Sequence, residues 1–158
     1  MKEILSLFAL VLGLSVASAS DTNHETISAK GHKPLVLIAR LNSLPGKSSA
    51  VIALSAAADK AVEEKEPGML LHTFDRNPSD KLGFVWTEVY ANSAALEFHL
   101  QNPDLIKYLT DVNPLLASFT VELYGEVSQA AVDMLEATGT PTSHYKTELG
   151  FIRDLTCN

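Results

Sequence analysis

The chain opens on an almost unbroken apolar run from Ile4 to Val16, with Lys2 before it and Ala17-Ser18-Ala19 after it. A positive start, an apolar middle and a small-residue site are the layout of a cleaved export signal, with cleavage expected after Ala19 and the mature protein outside the cytoplasm. The run falls short of the roughly 20 apolar residues that cross a bilayer, so no membrane attachment is expected after cleavage. The polar stretch that follows lacks periodicity and reads as a flexible leader over residues 20–34, ending at Pro34.

From there the pattern alternates between strand and helix periods. Leu35-Val36-Leu37-Ile38-Ala39 is a strand-forming apolar run closed by the breaker Asn42-Ser43-Leu44-Pro45-Gly46. Between Ser48 and Lys65, Val51, Leu54, Ala58, Ala61 and Val62 recur at spacings of three and four, which predicts an amphipathic helix capped by Ser48 or Ser49 and stopped by Pro67-Gly68. Two strand-like runs, Met69 to Phe74 and Leu82 to Tyr90, flank a turn-forming stretch and predict an antiparallel hairpin. A second helix starts at Asn92 or Ser93, breaks at Pro103 and resumes from Asp104 to Asp111; Ser118 to Val127 then alternates as a half-buried strand. The order is β-α-β-β-α-β, a ferredoxin-like α+β sandwich with four strands in one sheet and both helices on one face. Residues 128–158 form a helical then extended tail, too apolar to dangle, expected to dock on this domain or on a partner subunit.

The first strand is apolar at five consecutive positions and the third contains Phe84-Val85-Trp86, so both sheet faces carry apolar side chains. A second copy is the simplest cover for the face without helices, and a homodimer is expected.

Composition narrows the chemistry. The net charge is −7 and no Lys/Arg cluster offers a track for phosphates, so nucleic acid is not an expected partner. The single cysteine, Cys157, rules out an intramolecular disulfide and leaves a free thiol or an intermolecular bridge. The five histidines are scattered without ligand spacing, so no metal site is expected; nor is there a nucleophile elbow, a P-loop or a dinucleotide fingerprint.

Several short stretches resemble one family: the apolar first strand, Pro45-Gly46-Lys47 before the first helix, Glu66-Pro67-Gly68 after it, then Glu88-Val89-Tyr90 followed by Ser93, Ala95-Leu96 and His99-Leu100. In this order, over residues 35–127, they are similar to the antibiotic biosynthesis monooxygenase domain. The resemblance implies a dimeric α+β barrel whose protomers each hold an apolar pocket between sheet and helices. Some members oxidise quinols or polycyclic phenols with O₂ and no metal or flavin, while others degrade haem or isomerise small ketones. The haem-degrading branch carries an asparagine where Ala39 stands here, which disfavours that activity. The family's usual tryptophan after Glu-Val is Tyr90, its frequent Ser-Pro-His is Asn102-Pro103-Asp104, and export is itself a departure, because relatives are mostly intracellular.

Period-two geometry puts Phe84, Trp86, Glu88 and Tyr90 on one face of the third strand. A carboxylate among aromatic rings is a candidate base, its pKa raised by poor solvation toward a value suited to abstracting a phenolic proton. Glu88, His99 and His72 are therefore the candidate catalytic residues, and Trp86, Tyr90, Phe84 and Phe98 the candidate holders of a flat substrate. The hairpin register decides whether His72 shares the face of Glu88, and the turn leaves it open. His144 with Tyr145 in the tail is a further candidate to close over a pocket.

The expected function is a secreted monooxygenase-like protein without a cofactor, acting on a small aromatic or quinol. The alternatives are a non-catalytic dimeric module that binds a small hydrophobic ligand, and a small-ketone isomerase using the same base.

Overall fold

The computed structural model describes residues 33–151; the expected export signal, most of the expected leader and Cys157 lie outside the described residues. The strands are β1 (Leu35–Ser43), β2 (Met69–Arg76), β3 (Gly83–Tyr90), β4 (Leu116–Tyr124) and β5 (Thr142–Tyr145). The helices are α1 (Ser48–Lys65), α2 (Ser93–Gln101), α3 (Pro103–Val112) and α4 (Gln129–Ala137).

The strands form one sheet in the order β2-β3-β1-β4-β5, antiparallel except for the parallel pair β4–β5. The first four follow the ferredoxin-like arrangement expected from the pattern. Strict alternation along β1 turns Leu35, Leu37, Ala39 and Leu41 to one face, where they are buried with Phe84, Trp86 and Tyr90 of β3 and Val121 and Leu123 of β4. The helices close over this face through Val51 and Val62 of α1, Ala95 and Leu96 of α2, Tyr108 and Val112 of α3, and Ala131 and Leu135 of α4.

The opposite face carries Val36, Ile38, Val85 and Val89, all half-buried, beside an exposed two-pronged pair of Arg40 with Glu122. Both sheet faces are therefore apolar in part, as the sequence pattern requires.

Four local expectations are corrected. The sheet has five strands rather than four, because the tail, helical and then extended as expected, packs α4 on the core and adds β5 beside β4. There Tyr145 stacks on Tyr124 with ring centroids 4.9 Å apart, so His144 and Tyr145 close over no pocket; His144 Nε2 instead lies 2.9 Å from the Gly125 carbonyl. The first strand runs on to Ser43, and neither Ser48 nor Ser49 caps α1, whose start is Lys47 without a side-chain cap. The Ser48 hydroxyl is occupied at 2.7 Å by Ser43 Oγ.

The break at Pro103 positions the site. A proline at the first turn of α3 cannot continue α2, and Asn102 between them has extended backbone and accepts from the Asp104 amide through Oδ1. Its side-chain NH₂ group is left to point into the protein.

Candidate functional site

A cavity of about 60 Å³ lies between the sheet and the helices. Its walls come from β1 (Leu37, Ala39), β2 and β3 (His72, Trp86, Glu88), and the helices (Val62, His99, Tyr108, Leu135). Asp104, Thr138 and Thr140 stand where it nears the surface.

The sheet register brings the polar groups together. Glu88 faces Leu37 across β1 and His72 across β2. The pairing runs without a shift from Arg76–Phe84 at the turn to Leu71–Val89, which places His72 on the inner face with its ring stacked on Trp86 at 4.2 Å; the bulge between Met69 and Leu71 comes only beyond it. Glu88 is 5% exposed; its Oε2 accepts from the Tyr90 hydroxyl and its Oε1 lies 3.9 Å from His72 Nε2.

Each histidine is backed by a second carboxylate. His99 Nδ1 donates to Glu66 Oε2 at 2.8 Å, and Glu66 Oε1 accepts from Asn102 Nδ2 at 2.6 Å, all three residues being buried. His72 Nδ1 donates to Asp59 Oδ1 at 2.8 Å, where Asp59 stands on the exposed face of α1. The two imidazole centroids are 6.4 Å apart, and Tyr90 lies edge-on to His99 at 5.6 Å. With Nδ1 engaged, Nε2 is the nitrogen His99 has left for a cavity occupant.

Glu66 and Glu88 are both buried carboxylates that act on His99, and an uncompensated buried charge is costly. Burial pushes His99 down, but the hydrogen bond to Glu66 and the charges of Glu88 and Glu66 outweigh it, and its pKa stands above the ordinary histidine value. That shift favours the charged ring, the form that balances the pair. Burial, the charge of Glu88 and the hydrogen bond to it hold the Tyr90 phenol well above its usual range, so it stays a donor. Tyr108 is also raised, by burial first, against the opposing bonds from Ser55 and Trp86. Its hydroxyl accepts from Trp86 Nε1 at 3.1 Å and lies 3.0 Å from Ser55 Oγ, which fixes the indole that floors the cavity.

Of the residues singled out by sequence, Glu88, His99, His72 and Trp86 converge on the cavity. Tyr90 lies beside it as a donor to Glu88 rather than on its wall, and Phe84 sits further along β3, stacked on Phe74. Phe98 does not face the cavity and is 52% exposed: α2 buries Ala95, Leu96 and His99, a spacing that turns position 98 outward. Sequence reasoning missed Glu66, Asn102, Asp59 and Tyr108 as members of the cluster. Glu66 and Asn102 stand in motifs visible in the chain, but nothing local shows that they meet across 36 residues. Among the described residues no group of three or more His, Cys, Asp or Glu side chains is arranged to hold a metal ion.

Comparison with known proteins places this arrangement. The antibiotic biosynthesis monooxygenase family model matches residues 34–110, a segment holding every residue of the carboxylate–histidine cluster. That segment belongs to the family. A Synechocystis protein described only as uncharacterized is 30% identical over 84 residues, 53% of this chain and 56% of its own length, so the chain spans little more than half of that relative. Among solved structures, Rv0793 of Mycobacterium tuberculosis is 26% identical with a TM-score of 0.55, covering 61% of this chain and 98% of its own. SO0527 of Shewanella oneidensis is 25% identical with a TM-score of 0.56, covering 60% and 91%. MupZ of Pseudomonas fluorescens shares the fold at a TM-score of 0.62 and 17% identity, over 80% of this chain and 99% of its own. The family match over residues 34–110 suggests a monooxygenase-like or small-molecule-binding function for the cavity in that segment.

Proposed function

We propose that this protein is an exported oxygenase that oxidises a small phenol or quinol with O₂, the electrons coming from the substrate itself. The observation that carries the reading is Glu88: a buried carboxylate on the cavity wall beside Trp86, flanked by two histidines that are each held by another carboxylate. A phenol stacked near Trp86 gives its hydroxyl proton to Glu88, and the phenolate is a far better electron donor than the phenol. Protonated His99 stabilises the anion as it forms and the superoxide that follows one-electron transfer to O₂. Recombination of the two radicals at a ring carbon gives a peroxide. The peroxide takes up one proton; loss of the proton from that carbon as the O–O bond breaks then leaves a carbonyl and hydroxide, which takes the carbon's proton and leaves as water. One oxygen atom enters the product and one becomes water.

The cavity volume limits the substrate. About 60 Å³ is the room of a few water molecules. That is far below the roughly 300 Å³ where drug-sized sites begin. A single ring enters by displacing water and moving side chains such as Leu105 and Leu109, and is favoured over a fused polycycle, which needs more of the wall to move. The test is oxygen uptake with a metal chelator present, across mono- and dihydroxybenzenes, beside a folded Glu88→Gln variant. Uptake that disappears with Glu88→Gln supports the reading, and none above the uncatalysed rate rejects it.

One observation favours a second reading, a binding module without turnover. Among the described residues every side-chain nitrogen and oxygen fully shut off from solvent has a hydrogen-bond partner, which suits a rigid interior around the cavity as well as a catalyst. Measurable binding of the same phenols without oxygen uptake selects it.

In this proposal two copies pair through the helix-free sheet face around Val36, Ile38, Val85 and Val89, and sedimentation of the purified protein at micromolar concentration reads a dimer. Export with cleavage after Ala19 completes it, and the exported protein then begins at Ser20.

A further inference from the structure

The two carboxylate–histidine arms differ in where they end. Behind His99 the path closes: Glu66 is 2% exposed in its side chain, and its two oxygens are taken by His99 and by Asn102, whose amide cannot titrate. Behind His72 the path opens: Asp59 has a side chain 51% exposed, on the wall of an outer cleft of about 370 Å³ that also includes Glu63, Leu70 and Leu71; Glu66 borders the same cleft, but with its side chain buried and both oxygens bonded. His72 lines both the inner cavity and this cleft, and so does Val62. The imidazole is thus part of the partition between them, with Nε2 turned to Glu88 and Nδ1 to Asp59.

We propose that His72 and Asp59 are a proton relay joining Glu88 to solvent through the outer cleft, while the Glu66–His99 arm is a closed charge anchor that conducts no proton. The relay rests on the reading of Glu88 as the base, and it assigns to Asp59 a role that follows from neither the family match nor the cavity wall.

The atoms balance over one turnover. The substrate proton on Glu88 passes to His72 Nε2, and the Nδ1 proton of His72 passes to Asp59 and on to water, leaving the ring protonated at Nε2. When the peroxide takes up its proton, that proton returns by the same path in the opposite direction, and His72 regains its Nδ1 proton. The outward and inward passes cancel, so the ring need not flip against its stack on Trp86. The 3.9 Å between Nε2 and Oε1 is longer than a direct hydrogen bond and is closed by rotation of the Glu88 side chain or by one water. The charged and titratable groups around His72 are Asp59 and Glu63 of α1, Glu66 after it, Glu88 of β3 and His99 of α2.

The test has two arms on the full-length mature protein. In the first, nitrogen-15 NMR follows solvent exchange of the imidazole protons. The relay predicts rapid exchange at His72 Nδ1, slow exchange at His99 Nδ1, and slowing at His72 alone in Asp59→Asn, an exposed and near-isosteric change. Equal protection of the two rings, or no change in Asp59→Asn, overturns it. In the second arm, turnover of a monocyclic hydroquinone is measured in dilute and in concentrated imidazole buffer. Asp59→Asn loses on the order of 100-fold in kcat in dilute buffer, the lower end of what positioned proton transfer contributes, and concentrated imidazole restores it. A loss that buffer does not restore, or no loss, rejects the relay while leaving Glu88 as base untouched. If wild type does not turn over at all, the oxygenase reading fails and the exchange arm still decides whether His72 connects the cavity to solvent.

Discussion

Glu66→Gln isolates the charge of the closed arm while keeping its shape. The glutamine side chain can still accept from Asn102 Nδ2 and can donate toward His99 Nδ1, so the packing and the count of hydrogen bonds are preserved and the carboxylate charge is lost. In wild type, burial lowers the His99 pKa and the Glu66 bond with the Glu88 and Glu66 charges more than reverses it. Without Glu66 the largest single influence, burial, acts against Glu88 alone, and the variant's His99 titrates below wild type. A raised folded-state histidine pKa contributes stability that is fully present below the unfolded value near 6.5 and is lost as pH rises through the folded value. The wild-type advantage over Glu66→Gln is therefore largest on the acid side of 6.5 and shrinks on the alkaline side.

Both side chains are almost wholly buried, at 5% and 2% exposure, so solvent screening takes little from the interaction. A hydrogen bond to a charged group is worth about 1.5–3 kcal/mol, which is the expected loss on the acid side. For a domain of this size that corresponds to a fall in Tm of roughly 5–15 °C. Urea unfolding followed by circular dichroism at about pH 6 and about pH 9 measures the stability difference, and carbon-13 NMR of the His99 ring measures the titration. An unchanged His99 titration, or a stability loss that grows toward alkaline pH, refutes the assignment of Glu66 as the group that holds His99 protonated.

Two further predictions concern the frame. Tyr108→Phe leaves the indole N–H of Trp86, a residue 3% exposed, without its acceptor, and costs about 1–3 kcal/mol by urea unfolding; no loss means that water replaces the hydroxyl. Gly68→Ala places a methyl 2.6 Å from the Ala95 methyl, closer than carbon atoms pack, and lowers stability by about 1–3 kcal/mol as α2 is displaced; Gly68→Ala paired with Ala95→Gly recovers most of the packing loss in thermal unfolding, whereas no recovery shows that the close approach is not the cause.

The fold was legible where burial on one face imposes a period. The spacing of Val51, Leu54, Ala58 and Val62 marks α1, and alternation along β3 places Phe84, Trp86, Glu88 and Tyr90 on one face, all four buried in the structure. β5 gave no such signal: Thr142-Ser143-His144-Tyr145 is a short edge strand whose place depends on pairing with β4 rather than on its own apolar content. The half of the site on β3 was legible for the same reason as the strand. His72 could not be placed from sequence, because a one-residue slip reverses its face and the register is fixed at the turn, where Arg76 pairs with Phe84, by a loop whose sequence allows more than one pairing. Phe98 misled because its size suggests a core position, while the rotation of α2 is set by its smaller neighbours Ala95 and Leu96 with His99. Glu66 and Asn102 escaped because a long-range pair between a helix end and a proline break has no local pattern.

The account rests on Glu88 acting as base in a reaction that splits O₂ between product and water. The most direct measurement is turnover of a monocyclic hydroquinone or phenol under isotopically labelled O₂, with mass spectrometry of product and water, for wild type and Glu88→Gln. One labelled atom in each for wild type, and label absent from both in Glu88→Gln, is the expected result. Product that carries no label, or labelling that persists unchanged in Glu88→Gln, contradicts it.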